Sequence, residues 1–312
     1  MNILKHFAAA LAAAVLLVPA LSKAQEPAPD GTYLFAEHDS CGLYMDIYYP
    51  KDREPGNTTV LFIFGGGFMS GSRDMPFHKG FYREVLEKGY NLIAIDYRLG
   101  LKGVKKMGVA QVGLLKNAIN LAVEDLYAAT DFIIDNASEL MIDPAKIVLV
   151  GSSAGAITAL QADYEICNNS EIAQTLPDGF RYAGIVSYSG AILSFDGKPK
   201  YRVSSPAPTF FNHGTDDRLV TYKQIRFFNI GFFGTEALAK VFQKEDYPYF
   251  AIRYSGCGHE IATYMEEGID DLDWFIRHMV EEKSPIKKDV VLSDPGIKKP
   301  EGMSNSIDEL YN

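Results

Sequence analysis

The chain has 312 residues, 47% hydrophobic and 22% charged, a composition typical of a globular protein with a sizeable core. These proportions exclude a disordered, collagen-like or disulfide-stapled chain. Thirty basic residues against forty acidic ones give a formal net charge of −10, which repels phosphates and anionic lipid headgroups. We therefore expect no nucleic-acid partner and no attraction to an anionic membrane.

The first two dozen residues have the layout of a secretory signal peptide. A short, weakly cationic start precedes an apolar run over residues 7–20, and Ser22, Lys23 and Ala24 form a small-x-small cleavage pattern. The apolar run is shorter than the roughly 20 residues that cross a bilayer, which argues against the alternative of a membrane anchor. We expect residues 1–24 to be removed, leaving an exported (periplasmic or secreted) chain without stable membrane insertion.

The mature chain alternates short apolar runs with amphipathic stretches. Partial alternation of apolar and polar residues over 32–36 and 43–49 predicts an antiparallel edge hairpin. Six later runs show little alternation, as in parallel strands covered on both faces: residues 59–64, 91–96, 146–150, 183–187, 208–212 and 249–254. Apolar spacings of three and four predict four helices, over residues 117–136, 154–167, 222–233 and 260–281.

Strand and helix in repetition predict the α/β fold class. We expect a doubly wound, mostly parallel eight-stranded sheet with helices on both faces and an antiparallel N-terminal edge. No internal repeat or Pro/Gly/Ser linker divides the chain, so residues 25–281 form one predicted domain. Residues 282–312 are polar and predict a C-terminal extension that is loose or wraps around the domain.

The cysteines are three in number, Cys41, Cys167 and Cys257. Export permits disulfides, but an odd count leaves at least one thiol unpaired, and the sequence does not give the pairing. Cys257 lies two residues before His259, a spacing that a metal could use. A small loop residue or one half of a disulfide is the simpler interpretation, and no metal site is predicted.

The motif Gly151-Ser152-Ser153-Ala154-Gly155 directly follows the predicted strand 146–150 and precedes a predicted helix. In this strand–turn–helix setting, G-x-S-x-G predicts a nucleophilic serine on a sharp turn, at the positive end of the helix. Small neighbours let the strand and the helix approach closely. The alternative, a phosphate-binding turn, lacks the P-loop lysine and the spacing of a dinucleotide fingerprint.

Three glycines, Gly65 to Gly67, follow the predicted strand 59–64. Glycines let the main chain approach a substrate with its N–H groups turned inward, which is what an oxyanion hole requires. The residue after the nucleophile, Ala154, would supply another N–H group.

A serine nucleophile needs a histidine base that a carboxylate orients. His213 and His259 each follow a predicted strand, and the chain order Ser, acid, His makes His259 the base and His213 a turn residue near the acid. Asp216 and Asp217 compete for the acid. The Gly-x-x-Asp spacing favours Asp217, which leaves Asp216 as a solvated neighbour or a cap. The remaining histidines, His38, His78 and His278, are interpreted as structural.

Together these motifs resemble the α/β-hydrolase superfamily, specifically its carboxylesterase and hormone-sensitive-lipase-like branch. The matching segments are GGGF at 65–68, DYRL at 96–99, Asp143-Pro144, GSSAG at 151–155, HGTDD at 213–217 and GCGH at 256–259. That branch usually has His before the glycines, where Phe64 stands here; an aromatic there is similar to the cholinesterase-type loop, although this chain is too short for that family. The resemblance implies Gly66, Gly67 and Ala154 as oxyanion donors, with the choice of glycines open by one residue.

The implied activity is hydrolysis of carboxylic esters through an acyl-enzyme, with no metal or organic cofactor. Ser153 would attack the carbonyl, His259 would move the proton, and Asp217 would fix the imidazole tautomer. Activity is expected to rise as the pH passes roughly 6 to 7, because an imidazole base must be neutral.

Two other functions compete with ester hydrolysis. A serine peptidase of the prolyl-oligopeptidase type commonly carries a large N-terminal propeller and an aromatic-Gly-Gly pattern after the nucleophile, whereas Ala154-Gly155 stands here. A non-catalytic binding protein on a hydrolase scaffold usually lacks a triad member, and all three are present.

The substrate is less determined by the sequence than the reaction. The segments 189–208 and 222–247 are too short for a large lid, which predicts a small cap or none and a small soluble ester as substrate. Phenylalanines in the second segment (Phe227, Phe228, Phe232 and Phe233) could line an acyl pocket or belong to the core. Export and an open site favour removal of acetyl or feruloyl groups from plant polysaccharide. The oligomeric state is not predicted.

Overall fold

The structure, a computed structural model, describes residues 26–38, 41–105 and 111–297. The predicted signal peptide and residues 298–312 of the predicted C-terminal extension lie outside the described residues. Within the described ranges, no helix combines the length and the apolar character needed to cross a membrane.

Strands and helices alternate along most of the chain. The strands are β1 (Gly31–His38), β2 (Cys41–Tyr48), β3 (Thr59–Ile63), β4 (Asn91–Ile95), β5 (Ile147–Ser152), β6 (Gly184–Tyr188), β7 (Ala191–Ser194), β8 (Thr209–Gly214), β9 (Gln224–Phe227), β10 (Ile230–Gly234), β11 (Tyr249–Tyr254) and β12 (Lys287–Leu292). The α-helices are α1 (Lys79–Glu87), α2 (Val112–Asp135), α3 (Ala137–Leu140), α4 (Ala154–Cys167), α5 (Thr235–Lys244) and α6 (Ile269–Phe275).

Nine of these strands form one sheet in the order β1-β2-β4-β3-β5-β6-β8-β11-β12. The first two pairings, β1 with β2 and β2 with β4, are antiparallel, and the others are parallel. Every residue of β3, β4, β5, β6 and β8 is buried, as expected of strands that helices cover on both faces. The predicted fold class, with its antiparallel N-terminal edge, is confirmed.

The sheet has nine strands where the sequence predicted eight. The additional strand, β12, lies within the predicted C-terminal extension and pairs in parallel with β11. Arg253 on β11 binds both carboxylate oxygens of Asp289 on β12, at 2.5 and 2.7 Å. The polar composition of this segment concealed the strand, because β12 lies at the sheet edge and most of its residues are exposed.

The predicted helix over residues 222–233 is wrong: this segment forms the hairpin of β9 and β10. Phe227 pairs with Ile230 across a two-residue turn, where Phe228 has a φ of 54°. β10 also pairs with β7, which gives a three-stranded antiparallel sheet in the order β7-β10-β9. Its strands come from the chain segments that follow β6 and β8.

The predicted helix over residues 260–281 is divided into separate turns. A 3-10 turn covers His259–Thr263, and α6 begins only after Gly268. A Cβ on Gly268 would lie 3.0 Å from the carbonyl oxygen of Tyr264, a closer contact than most side chains make. The interruption separates the turn that carries His259 from the helix that packs against the sheet.

The carboxyl ends of the parallel strands meet at one edge of the sheet. Three loops leave the sheet there and carry the chemistry predicted from the sequence: the loops after β5, β8 and β11. The glycine-rich segment after β3, the neighbour of β5, leaves at the same edge.

Candidate active site

Ser153 lies on the turn between β5 and α4. Its backbone has φ 50° and ψ −114°, which residues with side chains rarely adopt. A Cβ on Gly155 would lie 2.0 Å from the carbonyl oxygen of Ile63, and one on Gly151 would lie 2.3 Å from that of Gly155. The two glycines therefore permit the close helix–strand packing that this strained turn requires.

The structure brings Ser153, His259 and Asp217 together. The Ser153 Oγ lies 2.9 Å from His259 Nε2, and His259 Nδ1 lies 2.8 Å from Asp217 Oδ2. Each of the three residues exposes less than a tenth of its surface. The acceptor-only carboxylate at Nδ1 places a proton on that nitrogen, so Nε2 carries the lone pair that can accept the serine proton.

The structure distinguishes the two adjacent aspartates. Asp216 is exposed, whereas Asp217 is buried and its Oδ1 accepts hydrogen bonds from the N–H groups of Leu219 (2.9 Å) and Val220 (3.0 Å). Burial alone would raise the pKa of the Asp217 carboxyl, but hydrogen bonds from His213 and His259 lower this pKa well below its ordinary value. Asp217 is therefore an anion at every pH at which the protein is folded and His259 can act as a base.

His213 also contacts the Asp217 carboxylate, and it lies on β8 rather than in the turn that the sequence predicted. It is a fully buried residue of β8, and its Nε2 lies 3.2 Å from Asp217 Oδ2 and 3.0 Å from the Val220 carbonyl oxygen. Its Nδ1 lies 3.0 Å from the Thr235 hydroxyl. The sequence signal for this contact was the position of His213 four residues before the acid.

Hydrogen bonds connect the three loops of the site. The hydroxyl of Ser152, next to Ser153, donates to the Ala262 carbonyl in the turn of His259 at 2.7 Å. The loop after β8 is joined to the loop after β11 where the Gly256 N–H donates to the Thr215 hydroxyl at 2.9 Å. These bonds fix the distance between serine, acid and base without a direct covalent link.

The glycine-rich segment lies beside the serine. A Cβ on Gly65 would lie 3.2 Å from the Ser153 Cβ, and Gly66 and Gly67 have φ values of 115° and 64°. Throughout the described part of the chain, no protein acceptor pairs with the N–H groups of Gly66, Gly67 or Ala154. These three donors, named from the resemblance, are thus available for a ligand.

Tyr97 binds and packs against Phe64, the residue that precedes the glycine-rich segment. Its hydroxyl donates to the Phe64 carbonyl at 2.9 Å, and its ring stacks on the Phe64 ring with centroids 4.3 Å apart. Burial raises the pKa of the Tyr97 hydroxyl far above its ordinary value, so the hydroxyl remains a donor. Phe64 stands where the branch named in the sequence analysis usually has His. The stacked Tyr97 ring is a structural reason for an aromatic residue at this position.

The other described histidines have their contacts away from Ser153. His38 Nε2 lies 3.3 Å from Asp125, His278 hydrogen-bonds Glu282 at 2.9 Å, and His78 is buried among aromatic rings. None of these three side chains contacts the Ser153 group in the described structure, in agreement with their structural interpretation.

The three cysteines are free thiols, with Cys41 exposed and Cys167 and Cys257 buried. Among the residues that the structure describes, no three His, Cys, Asp or Glu side chains are grouped so that they could hold a metal ion. The arrangement at the sheet edge therefore consists of a hydroxyl, an imidazole, a carboxylate and free main-chain donors.

The comparison with protein families agrees with this geometry. The BD-FAE family model matches residues 45–192, which include the glycine-rich segment and the turn of Ser153. The matched segment is just under half of the 312 residues, and over that segment the chain is similar to this family.

Relatives match this chain over part of their length. It is 29% identical over 140 residues to neuroligin-like protein glit-1 of Caenorhabditis elegans, covering 44% of this chain and 18% of the relative. It is 29% identical over 133 residues to the fumonisin B1 esterase of Sphingopyxis macrogoltabida, covering 41% of this chain and 23% of the relative. The match to cholinesterase 1 of Branchiostoma lanceolatum, 29% over 114 residues, covers 36% and 30%. The matches thus span less than a third of each of these relatives.

Solved structures share the fold over most of this chain. The propionate-bound Est2 esterase of Thermogutta terrifontis superimposes with a TM-score of 0.57 at 19% identity, covering 82% of this chain and 96% of that one. The apo form of the same esterase gives a TM-score of 0.59 at 20% identity, with coverages of 81% and 96%. At these identities the likeness establishes the common fold.

Proposed function

We propose that the protein is a serine carboxylic-ester hydrolase acting on small soluble esters. The observation that carries this proposal is the chain of two hydrogen bonds, 2.9 Å from Ser153 to His259 and 2.8 Å from His259 to Asp217. The esterases among its relatives and structural neighbours support the same reaction class.

In the proposed mechanism, His259 Nε2 takes the hydroxyl proton as Ser153 Oγ attacks the ester carbonyl. Asp217 holds the proton on His259 Nδ1 and stabilises the imidazolium that forms. His259 then gives its proton to the leaving alcohol, and the acyl group stays on Ser153. Water, activated by the same imidazole, hydrolyses the acyl-enzyme and releases the carboxylic acid.

The negative charge on the carbonyl oxygen needs preorganised donors. The N–H groups of Gly66, Gly67 and Ala154 have no protein acceptor among the described residues, and Gly65 places their segment against Ser153. One such donor contributes about 3 to 4 kcal/mol of transition-state stabilisation. Tyr97 and Phe64 keep the segment in place, so the donors need no reorganisation during the reaction.

The finer proposal concerns the ester itself. The small sheet β7-β10-β9 is too limited to form a large lid, which favours substrates that reach an open site from solution. We propose short acyl groups, including acetyl or feruloyl groups on carbohydrate, rather than long-chain triglycerides.

The test compares Ser153→Ala with Ser152→Ala on p-nitrophenyl esters. Loss of the nucleophile should lower kcat by at least about 10⁴-fold. The neighbouring substitution removes only a hydroxyl that donates to Ala262, so activity should stay within about tenfold of the unmodified protein. Equal rates for the unmodified protein and Ser153→Ala would contradict the assignment of the nucleophile.

The same assay defines the acyl group. A series from acetate to octanoate should show the highest kcat/KM for the short chains, and acetylated xylan should release acetate. A preference for octanoate, or no release from any acetylated sugar, would contradict the finer proposal while leaving ester hydrolysis intact.

A further inference from the structure

His213 is as deeply buried as any residue of the site, although the proposed reaction does not use it. Its side chain has no exposed surface, and both ring nitrogens have partners. Nε2 faces the Val220 carbonyl oxygen at 3.0 Å and Asp217 Oδ2 at 3.2 Å, while Nδ1 faces the Thr235 hydroxyl at 3.0 Å. A purely structural histidine does not need the contact with Asp217.

The partners determine which nitrogen of His213 carries the proton. A carbonyl oxygen and a carboxylate only accept hydrogen bonds, so Nε2 must carry the proton and share it between Val220 and Asp217. In the neutral imidazole, Nδ1 then accepts from the Thr235 hydroxyl, which can act as a donor. Thr235, the first residue of α5 and itself fully buried, thereby selects the tautomer that donates to the acid.

The contact completes the hydrogen bonding of Asp217. Oδ1 accepts from two N–H groups, those of Leu219 and Val220, and Oδ2 accepts from His259 Nδ1. His213 Nε2 lies 3.2 Å from the same Oδ2, so a nitrogen donor faces the carboxylate at each of its about four acceptor directions. The orientation of the oxygen that faces His259 is therefore fixed from behind by His213.

We propose that His213, held by Thr235, is a positioning residue: it keeps Asp217 Oδ2 aligned with His259 Nδ1. This inference deepens the proposed ester hydrolysis and rests on it. Without the His213 contact, the carboxylate loses this support at Oδ2, while the N–H groups of Leu219 and Val220 hold only Oδ1. Misalignment of about 1 Å in such a site costs on the order of 10²-fold in rate.

The test uses four variants with opposite expectations. His213→Phe fills the space without a donor and should lower kcat about 10- to 100-fold with KM within about twofold. His213→Gln places an amide N–H near the position of Nε2 and should recover most of the loss. Thr235→Val removes the hydroxyl with little change of shape and should lower kcat about 3- to 10-fold, whereas Thr235→Ser keeps the hydroxyl and should match the unmodified protein.

A spectroscopic measurement separates positioning from packing. ¹⁵N NMR of His259 reports which of its nitrogens carries the proton, and the Nδ1–H tautomer should dominate in the unmodified protein. In His213→Phe the tautomers should mix, and in His213→Gln the Nδ1–H form should return. If His213→Phe lowers the melting temperature but leaves both kcat and the His259 signals unchanged, the residue only packs and the proposal is wrong.

The two measurements also separate this proposal from the proposed function. If the unmodified protein hydrolyses no ester, the proposed function fails, and the His259 tautomer in the four variants still decides whether His213 positions the acid. If the unmodified protein is active and the variants keep its kcat and its tautomer, only the positioning proposal fails.

Discussion

Two neighbouring aspartates in one loop differ in their burial and in their hydrogen bonds. Asp216 lies in solvent, and its N–H donates to the Cys257 carbonyl at 2.9 Å. Asp217 is turned inward, where four donors surround its carboxylate. Two chemically identical side chains thus differ in burial and in hydrogen bonding, because one points into solvent and the next points into the protein.

We predict opposite results from the same substitution at these two positions. Asp217→Asn replaces one acceptor oxygen by an amide donor and permits the wrong His259 tautomer, so kcat should fall on the order of 10⁴-fold. Asp216→Asn removes an exposed charge and should leave kcat within about twofold. Steady-state kinetics on a short p-nitrophenyl ester distinguish them, and a larger loss in Asp216→Asn would assign the acid to that residue.

At the level of single residues, the sequence predicted which side chains come together better than it predicted the contacts that hold them in place. Ser153, His259 and Asp217 follow strand ends, and a parallel sheet brings such ends to one edge. The contacts of His213 and Tyr97 could not be predicted, because they depend on side-chain direction within buried segments. The spacing of four residues indicates that His213 is near the acid but not where its side chain points, and Tyr97 has no such signal.

The turn between β5 and α4 shows how an element boundary depends on single atoms. Gly155 is the second residue of α4, and a Cβ there would lie 2.0 Å from the carbonyl oxygen of Ile63 on β3. Gly113 is the second residue of α2 and has nothing within 4 Å of the same position. Helical position and residue type are the same, and only the surroundings differ.

We predict that the two glycines respond to alanine with opposite signs. Gly155→Ala forces the helix away from β3 and should lower the free energy of unfolding by more than about 3 kcal/mol, or prevent folding. Gly113→Ala should raise it by up to about 1 kcal/mol, because alanine favours a helix. Thermal or urea denaturation measures both. A tolerated Gly155→Ala would show that the close contact is not required.

Elements with an apolar signal of their own were predicted well, and those that depend on pairing with another strand were not. The buried parallel strands carry their own apolar signal, so β3 to β6 follow from the sequence. The segment 222–233 has apolar residues at helical spacing, yet it becomes a hairpin because β10 pairs with β7. β12 is polar and exposed, and only its pairing with β11 makes it a strand.

The whole molecule contains a buried histidine outside the site that makes its stability sensitive to acid. His78 exposes 1% of its surface, and in the described structure neither of its nitrogens has a hydrogen-bond partner. Burial, and to a smaller extent the charge of Lys79, lowers the pKa of His78 to about 3. In the unfolded chain the pKa of a histidine is about 6.5.

The sign of the effect follows from proton binding. Between pH 6.5 and 3 the unfolded chain takes up a proton at His78 and the folded protein does not, so stability falls as the pH falls through this window. His78→Phe fits the neighbouring Phe62 and Tyr82 rings and removes this titration. The free energy of unfolding of the variant, relative to the unmodified protein, should therefore increase from pH 7 to pH 4 in guanidinium titrations. Parallel pH profiles would contradict the prediction.

The late position of β12 has a consequence for the order in which the chain is made. During synthesis, the open flank of β11 has no neighbour until residues 287–292 emerge from the ribosome. An uncovered strand flank is a template for association with another chain. His259 also emerges late, so a nascent chain that stops short of it holds the proposed nucleophile without its proposed base. Premature termination between residues 255 and 258 would therefore yield a fragment that is prone to association and lacks this base.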